Sequence, residues 1–187
     1  MRIGGGKQKG SAFEREICKL LSLWFSEEIR DDIFFRSASS GAMATQRFKK
    51  GKNTSGQQGD ITSTDSEGIK FINKFSIELK SYKDFSLDFL VYKNKSSIHD
   101  WWVQCKGDAG RNNKNPLLII KKNGKKELII FEHNLYKYFC DYFGELSNKK
   151  YIVGYINDIY VIIMLLTDFL DYTNPKTLKD NIINEIN

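Results

Sequence analysis

The stretch Ser76-Ile77-Glu78-Leu79-Lys80 sets an acid and a base two positions apart inside an alternating apolar pattern. On a strand, residues two apart share a face, so Glu78 and Lys80 project together while Ile77 and Leu79 point into a core. Asp60 stands at the end of what reads as the preceding strand, and a turn between the two would lay it antiparallel and adjacent. Two carboxylates and one ammonium then converge at the edge of a sheet. Phosphodiester cleavage is the chemistry that such a group suits. Mg²⁺ is a hard ion that prefers oxygen and usually takes one or two carboxylates, keeping waters for the substrate. Asp60 and Glu78 would supply them, with Mn²⁺ able to substitute. The metal would lower the pKa of a bound water and offset charge growing on the scissile phosphate. Lys80 would orient that water or stabilise the phosphorane. An E-x-K triplet alone is common on solvated strand faces, so the pattern needs support from elsewhere.

Glu14 adds to it. The spacing of Phe13, Ile17, Leu20, Leu21 and Trp24 predicts a helix over 11–26 with a buried stripe. Glu14 falls in line with Cys18, Leu21 and Phe25 on the inward half. A carboxylate there needs a partner, because burying an unpaired charge is costly; a metal-bound water or Lys80 would serve. The competing reading is that Ser11 caps the helix and Glu14 only completes a capping box.

Several elements must position these groups. A short strand is expected over 33–36, then a long polar loop over 37–59, a length that is uncommon unless functional or disordered. Strand character returns at 60–64, with a turn near Asp65 to Gly68, and the clearest strand runs over 71–82. A helix is expected over 97–108. Strands over 117–121 and 127–131 flank Asn123-Gly124, a strong hairpin signal, and a helix follows over 134–143. A second hairpin joins 151–156 to 160–166 around Asn157-Asp158. A last helix starts at Pro175 with Asn174 as its cap. The order predicts an α/β fold with a mixed sheet flanked by helices.

The bulk properties agree with one soluble domain. The chain has 187 residues, 41% hydrophobic and 28% charged, enough to bury a core without staples. The net charge of +6 favours a polyanionic partner, nucleic acid or an acidic surface. Cys18, Cys105 and Cys140 are scattered, which argues against disulfides and a cysteine zinc site and fits a reducing cytoplasm. His99 and His133 show no paired spacing, which points away from a zinc hydrolase. No apolar run approaches the ~20 residues of a membrane span. Abundant Lys, Asn and Ile suggest an AT-rich genome, viral or bacterial; a viral protein would work in its host's cytoplasm.

Taken in order, these pieces resemble the PD-(D/E)XK nuclease superfamily, and within it archaeal-type Holliday junction resolvases. Lys9-Gly10-Ser11-Ala12-Phe13-Glu14-Arg15 resembles the opening motif K-G-S-x-x-E-R. Arg36-Ser37-Ala38-Ser39-Ser40-Gly41 resembles R-x-x-x-S-G, Gly59-Asp60-Ile61 resembles P-D-I, and Ile77-Glu78-Leu79-Lys80-Ser81 resembles I-E-x-K-S. Gln104 is similar to a polar residue often found on the following helix. The resemblance covers roughly residues 9–120 and implies a restriction-endonuclease-like fold and a metal-dependent DNA endonuclease acting on branched DNA such as four-way junctions. It implies Glu14, Asp60, Glu78 and Lys80 as catalytic positions, the three carboxylates as metal ligands, and a homodimer. On this view residues 1–10 are a flexible basic arm, 11–131 the nuclease core, and 132–187 a C-terminal extension packed on it. Gly59 departs from the expected Pro, and the segment from Gly41 to Asp60 is longer than usual in resolvases. A restriction- or repair-type endonuclease, or a nuclease-fold DNA binder without activity, remains an alternative.

DNA contacts are expected from Arg36, Ser39, Arg47, Lys49, Lys50, Lys52 and Gln104, with the long loop placed to wrap a duplex. Lys121, Lys122, Lys125 and Lys126 offer a second phosphate contact or a solvated turn. Of Trp101 and Trp102, about 100° apart on a helix, one is expected in the core and the other in the core, at an interface or against a base.

Overall fold

The computed structural model describes residues 5–37, 59–92 and 96–183. Helix α1 spans Gly5–Phe25. It begins before the expected Ser11, so Ser11 lies inside the helix and the capping-box reading of Ser11 and Glu14 does not apply. Lys7, Gln8 and Lys9 are good helix formers and carry the helix through the glycines that suggested a loose arm. Strands β1 (Phe34–Arg36) and β2 (Ile61–Ser63) pair antiparallel as a small two-stranded sheet.

The turn expected at Asp65 to Gly68 opens a helix, α2 (Ser66–Lys74), and the predicted strand over 71–82 starts only at Phe75. The Asp65 carboxylate accepts from the Glu67 and Gly68 N–H groups, satisfying two of the donors that a helix start leaves open. Gly68, Phe71 and Ile72 form the buried face. Their three-and-four spacing continues to Phe75, so helical period and strand propensity overlap where one element passes into the next. Consequently Asp60 does not reach the next strand through a tight turn: β2 pairs with β1, and α2 intervenes.

The main sheet comprises β3 (Phe75–Tyr82), β4 (Asn115–Lys122), β5 (Leu128–Glu132), β6 (Tyr151–Ile156) and β7 (Ile159–Leu165) in the order β3-β4-β5-β7-β6. Strands β3 and β4 are parallel and the remaining neighbours antiparallel, so the sheet is mixed as predicted. Asn157 and Asp158 take φ of 48° and 62°, the left-handed pair that a two-residue hairpin requires. A short helix, α3 (Phe89–Tyr92), precedes α4 (Ser97–Gly110). Helices α5 (His133–Phe143), α6 (Leu166–Tyr172) and α7 (Pro175–Thr177, continued by a π-type turn to Ile183) complete the fold. Asn174 caps α7 by accepting from the Thr177 N–H. Helix α6 was not anticipated; its Leu166 ends the apolar run that reads as strand. The architecture is compatible with a restriction-endonuclease-like fold.

Both faces of the central strands are buried. One packs Ile77, Leu79, Leu117 and Ile119 against Phe13, Ile17, Leu21 and Phe25 of α1, with Phe139 and Phe169 from the C-terminal helices. The other packs Leu118, Ile120, Ile130 and Ile163 against Ile98, Trp101, Trp102 and Cys105 of α4. Alternate residues of β4 thus serve two cores, which explains its unbroken apolar run. Both tryptophans lie in the second core, so the one held open for an interface or a base is also packed. Among the described residues no helix is long and apolar enough to cross a membrane.

Candidate active site

Strand β3 lies at one edge of the main sheet, and the segment Gly59-Asp60 runs along it. The Asp60 N–H donates to the Ile77 carbonyl at 2.8 Å, and the Leu79 N–H donates to Asp60 Oδ2 at 2.8 Å. Two edge groups of β3 are therefore satisfied by one residue, its main chain at Ile77 and its carboxylate at Leu79. Gly59 has φ +81°, and a Cβ there would sit 2.7 Å from the Ile77 oxygen. Proline, fixed near φ −65°, cannot adopt that backbone. The departure at this position from the resolvase-like motif thus has a local structural reason.

The parallel register sets Glu78 beside Leu118 and Lys80 beside Ile120, on the α4 face of the sheet. Lys80 Nζ lies 2.6 Å from Glu78 Oε1 and 3.0 Å from Gln104 Oε1. The Gln104 amide closes the triangle, Nε2 donating to Glu78 Oε1 at 2.8 Å. Gln104 thereby fixes both partners from the helix above. The expected convergence of Asp60, Glu78 and Lys80 is present, reached through α2 and an edge contact.

Burial sets the electrostatics. Asp60 is 7% exposed and Glu78 3%. Loss of water raises the Asp60 carboxyl from its ordinary 3.8 to about 6, against the Leu79 N–H and Lys80, which lower it. Burial first, and then the Asp60 charge, raise Glu78 from 4.5 to about 7, with Lys80 opposing. Burial works against the Lys80 ammonium, but Glu78 and Asp60 outweigh it and leave the group above its ordinary value. Asp108, also buried and one turn beyond Gln104, is raised by burial while Arg111 and Lys80 pull it down. Sequence reasoning missed Asp108. Its four-residue spacing from Gln104, on a helix whose neighbouring positions are Trp101, Trp102 and Cys105, was the available signal.

Glu14 lies on the inner side of α1, as its helical position predicted, but its partner is Arg36 of β1 rather than Lys80. Among the described residues no three acidic, cysteine or histidine side chains gather as a metal cluster, yet Glu14 stands near enough to Asp60 for its charge to help raise that carboxyl. Burial and then the same Glu14 charge raise the neighbouring Cys18 thiol to about 12, with Asp60 contributing. Arg36 is held by that ion pair, and Gln104 by the triangle above. Ser39, Arg47, Lys49, Lys50 and Lys52 lie outside the described residues. At the β4–β5 turn, Lys121 pairs with Glu16 and Glu127, and Lys122 with Asp84, while Lys125 and Lys126 are exposed.

Among the described residues, two surface clefts lie near the C-terminal end of β3. The larger, about 740 Å³, lies over Asp84 to Leu87 and the lysines of the turn, away from Asp60 and Glu78. The other, about 480 Å³, is lined by Lys80, Tyr82, Lys83, Asn123 and Gly10. Lys80 lines the smaller one.

The arrangement offers two buried oxygen-donor side chains, one fixed ammonium and an adjoining cleft. Such a donor set suits a hard divalent cation, which needs no more than one or two carboxylates and no histidine. Protein D14 of Escherichia phage T5 is 26% identical over 124 residues, which cover 66% of this chain and 73% of that protein. No solved structure matches the chain. A family model described as "Phage putative PDDEXK endonuclease" matches residues 5–180, and it is to this phage PDDEXK endonuclease family that the chain belongs.

Proposed function

We propose that the protein is a divalent-metal-dependent DNA endonuclease, selective for branched DNA, with Asp60 and Glu78 holding Mg²⁺ or Mn²⁺. The observation that carries this reading is the buried carboxylate pair, each member raised by loss of water, with Asp60 further raising Glu78. Two like charges withdrawn from water beside a single ammonium leave room for further positive charge, which a dication supplies. When bound, such an ion stabilises charge on the transferring phosphate and provides a nucleophile at neutral pH.

The protein's own groups prepare the rest. The Leu79 N–H orients the Asp60 carboxylate from β3, so its position follows the sheet edge and not a free rotamer. Gln104 and Glu78 hold Lys80 Nζ, leaving its cationic head fixed at the cleft where the scissile phosphate would lie. Preorganised charge of this kind costs no rearrangement at the moment of reaction. Glu14 supports the centre indirectly, by holding Arg36. Cleavage as a homodimer, and action in the cytoplasm of a phage-infected host, belong to the same proposal; light scattering with and without DNA tests the dimer.

Incubation with Mg²⁺ or Mn²⁺ and labelled four-way junction, linear duplex and single strand tests the function. Paired cuts near the branch point, lost in Lys80→Ala, are expected. Cleavage of linear duplex in preference to the junction refutes branch selectivity, and cleavage that persists in Lys80→Ala refutes the site.

A further inference from the structure

The alternation that aligns Glu78 with Lys80 continues to Tyr82, the last residue of β3. These three side chains share the α4 face, and α4 answers them in sequence. Gln104 meets Glu78 and Lys80, while one turn earlier the Trp101 ring stacks on Tyr82 with centroids 4.5 Å apart and planes at 26°. Phe85 braces Trp101 edge-on at 5.8 Å. Trp101 is buried, yet Tyr82 is 48% exposed and lines the same cleft as Lys80. Lys83 and Asn123, both exposed, lie at its rim.

A tyrosine needed only to cover Trp101 would also be served by an aliphatic side chain. What this one adds is a rigid aromatic face, backed by a second ring and open to the cleft. Two residues of strand place it about 7 Å from Lys80 along the backbone, about two steps of a stacked nucleic-acid strand. Aromatic faces beside cationic grooves bind unpaired bases by stacking, without regard to sequence, because every base presents a π face. In continuous duplex those faces are covered by neighbouring bases.

We propose that Tyr82, backed by Trp101, is a stacking platform for an unpaired base of the substrate strand next to the scissile phosphate. It selects DNA that offers such a base, at a branch, flap or single-stranded stretch, over continuous duplex. This rests on the cleft beside Lys80 being the catalytic one.

The probes are single-stranded and duplex oligonucleotides carrying 2-aminopurine at successive positions, bound to the Glu78→Gln chain so that none is cut. Quenching is expected at one position of the single strand, retained in Tyr82→Phe and lost in Tyr82→Leu, which keeps apolar cover over Trp101. Affinity for single strand should fall about 5- to 150-fold in Tyr82→Leu and stay unchanged in Tyr82→Phe. Circular dichroism melting checks that the variants fold. Equal quenching and affinity in a folded Tyr82→Leu overturns the platform while leaving wild-type cleavage to judge the catalytic reading. Loss of the quench in Tyr82→Leu, with a wild-type chain that cuts nothing, supports stacking on Tyr82 but overturns the catalytic reading and with it the placement beside a scissile phosphate. Failure of every oligonucleotide to bind overturns the platform, and cleavage of the four-way junction by the wild-type chain then judges the catalytic reading separately.

Discussion

Replacing Asp60 with Asn removes one buried negative charge while leaving a side-chain oxygen to accept from the Leu79 N–H. The edge of β3 therefore stays closed, and the electrostatic cost of the charge can be measured alone. Burial raises this carboxyl from 3.8 to about 6, so between those values the folded protein holds a proton that the unfolded chain releases. Stability contributed by that proton is present below the unfolded value and lost as the pH rises through the folded one. At about 1.4 kcal/mol per pH unit, the rise is worth up to about 3 kcal/mol above pH 7. Glu78 gains as well, since Asp60 is the second cause of its own raised value. In EDTA at pH 8, Asp60→Asn is thus expected to be about 2–3 kcal/mol more stable than the parent, raising Tm by about 5–10 °C for a chain of this size. Near pH 4 the two should coincide. Urea unfolding from pH 4 to 8 measures the gap. A variant less stable than the parent at pH 8, or a gap that does not change with pH, would refute the reasoning.

Two further outcomes are expected from the same geometry. Mg²⁺ at 100 times its Kd should stabilise the parent by about 2.7 kcal/mol, and this gain should vanish in Asp60→Asn and Glu78→Gln; an equal thermal shift in all three would remove the metal from these carboxylates. Gly59→Ala should cost about 1–3 kcal/mol in urea unfolding, because its φ is positive and a Cβ meets the Ile77 oxygen. Displacing Asp60 by even 1 Å should also slow cleavage on the order of 100-fold, and full activity in a folded Gly59→Ala would show that the edge contact does not position the site.

The site was more legible than the path that builds it. Glu78 and Lys80 follow from strand alternation, and β3 keeps that period without interruption from Phe75 to Tyr82. The arrival of Asp60 was anticipated, but its route was not, because Phe71, Ile72 and Phe75 satisfy helical spacing as well as strand propensity. Asp65 was the overlooked cap. The inward placement of Glu14 was read from the helix period, whereas its partner Arg36 comes from a strand reached across the chain, and local spacing carries no information about such a pairing. Asp108 and the Tyr82–Trp101 stack depend on how α4 settles over β3, a tertiary fact with only a weak local trace. The start of α1 was misjudged because glycines near Gly5 outweighed the helix formers that follow.

One consequence of the Gly59-Asp60 contact concerns the sheet as a whole. With the main chain and carboxylate of Asp60 bonded to Ile77 and Leu79, two edge groups in the middle of β3 are already taken and cannot pair with another molecule. The opposite side ends in β6, which pairs only with β7 among the described residues and exposes Tyr151, Ile152, Val153 and Tyr155. Among the described residues the two margins therefore differ: Asp60 occupies the middle of one, and no further strand pairs with the other. The margin held by Asp60 is the one that carries the carboxylates, so a strand added at the other would lengthen the sheet without obstructing them.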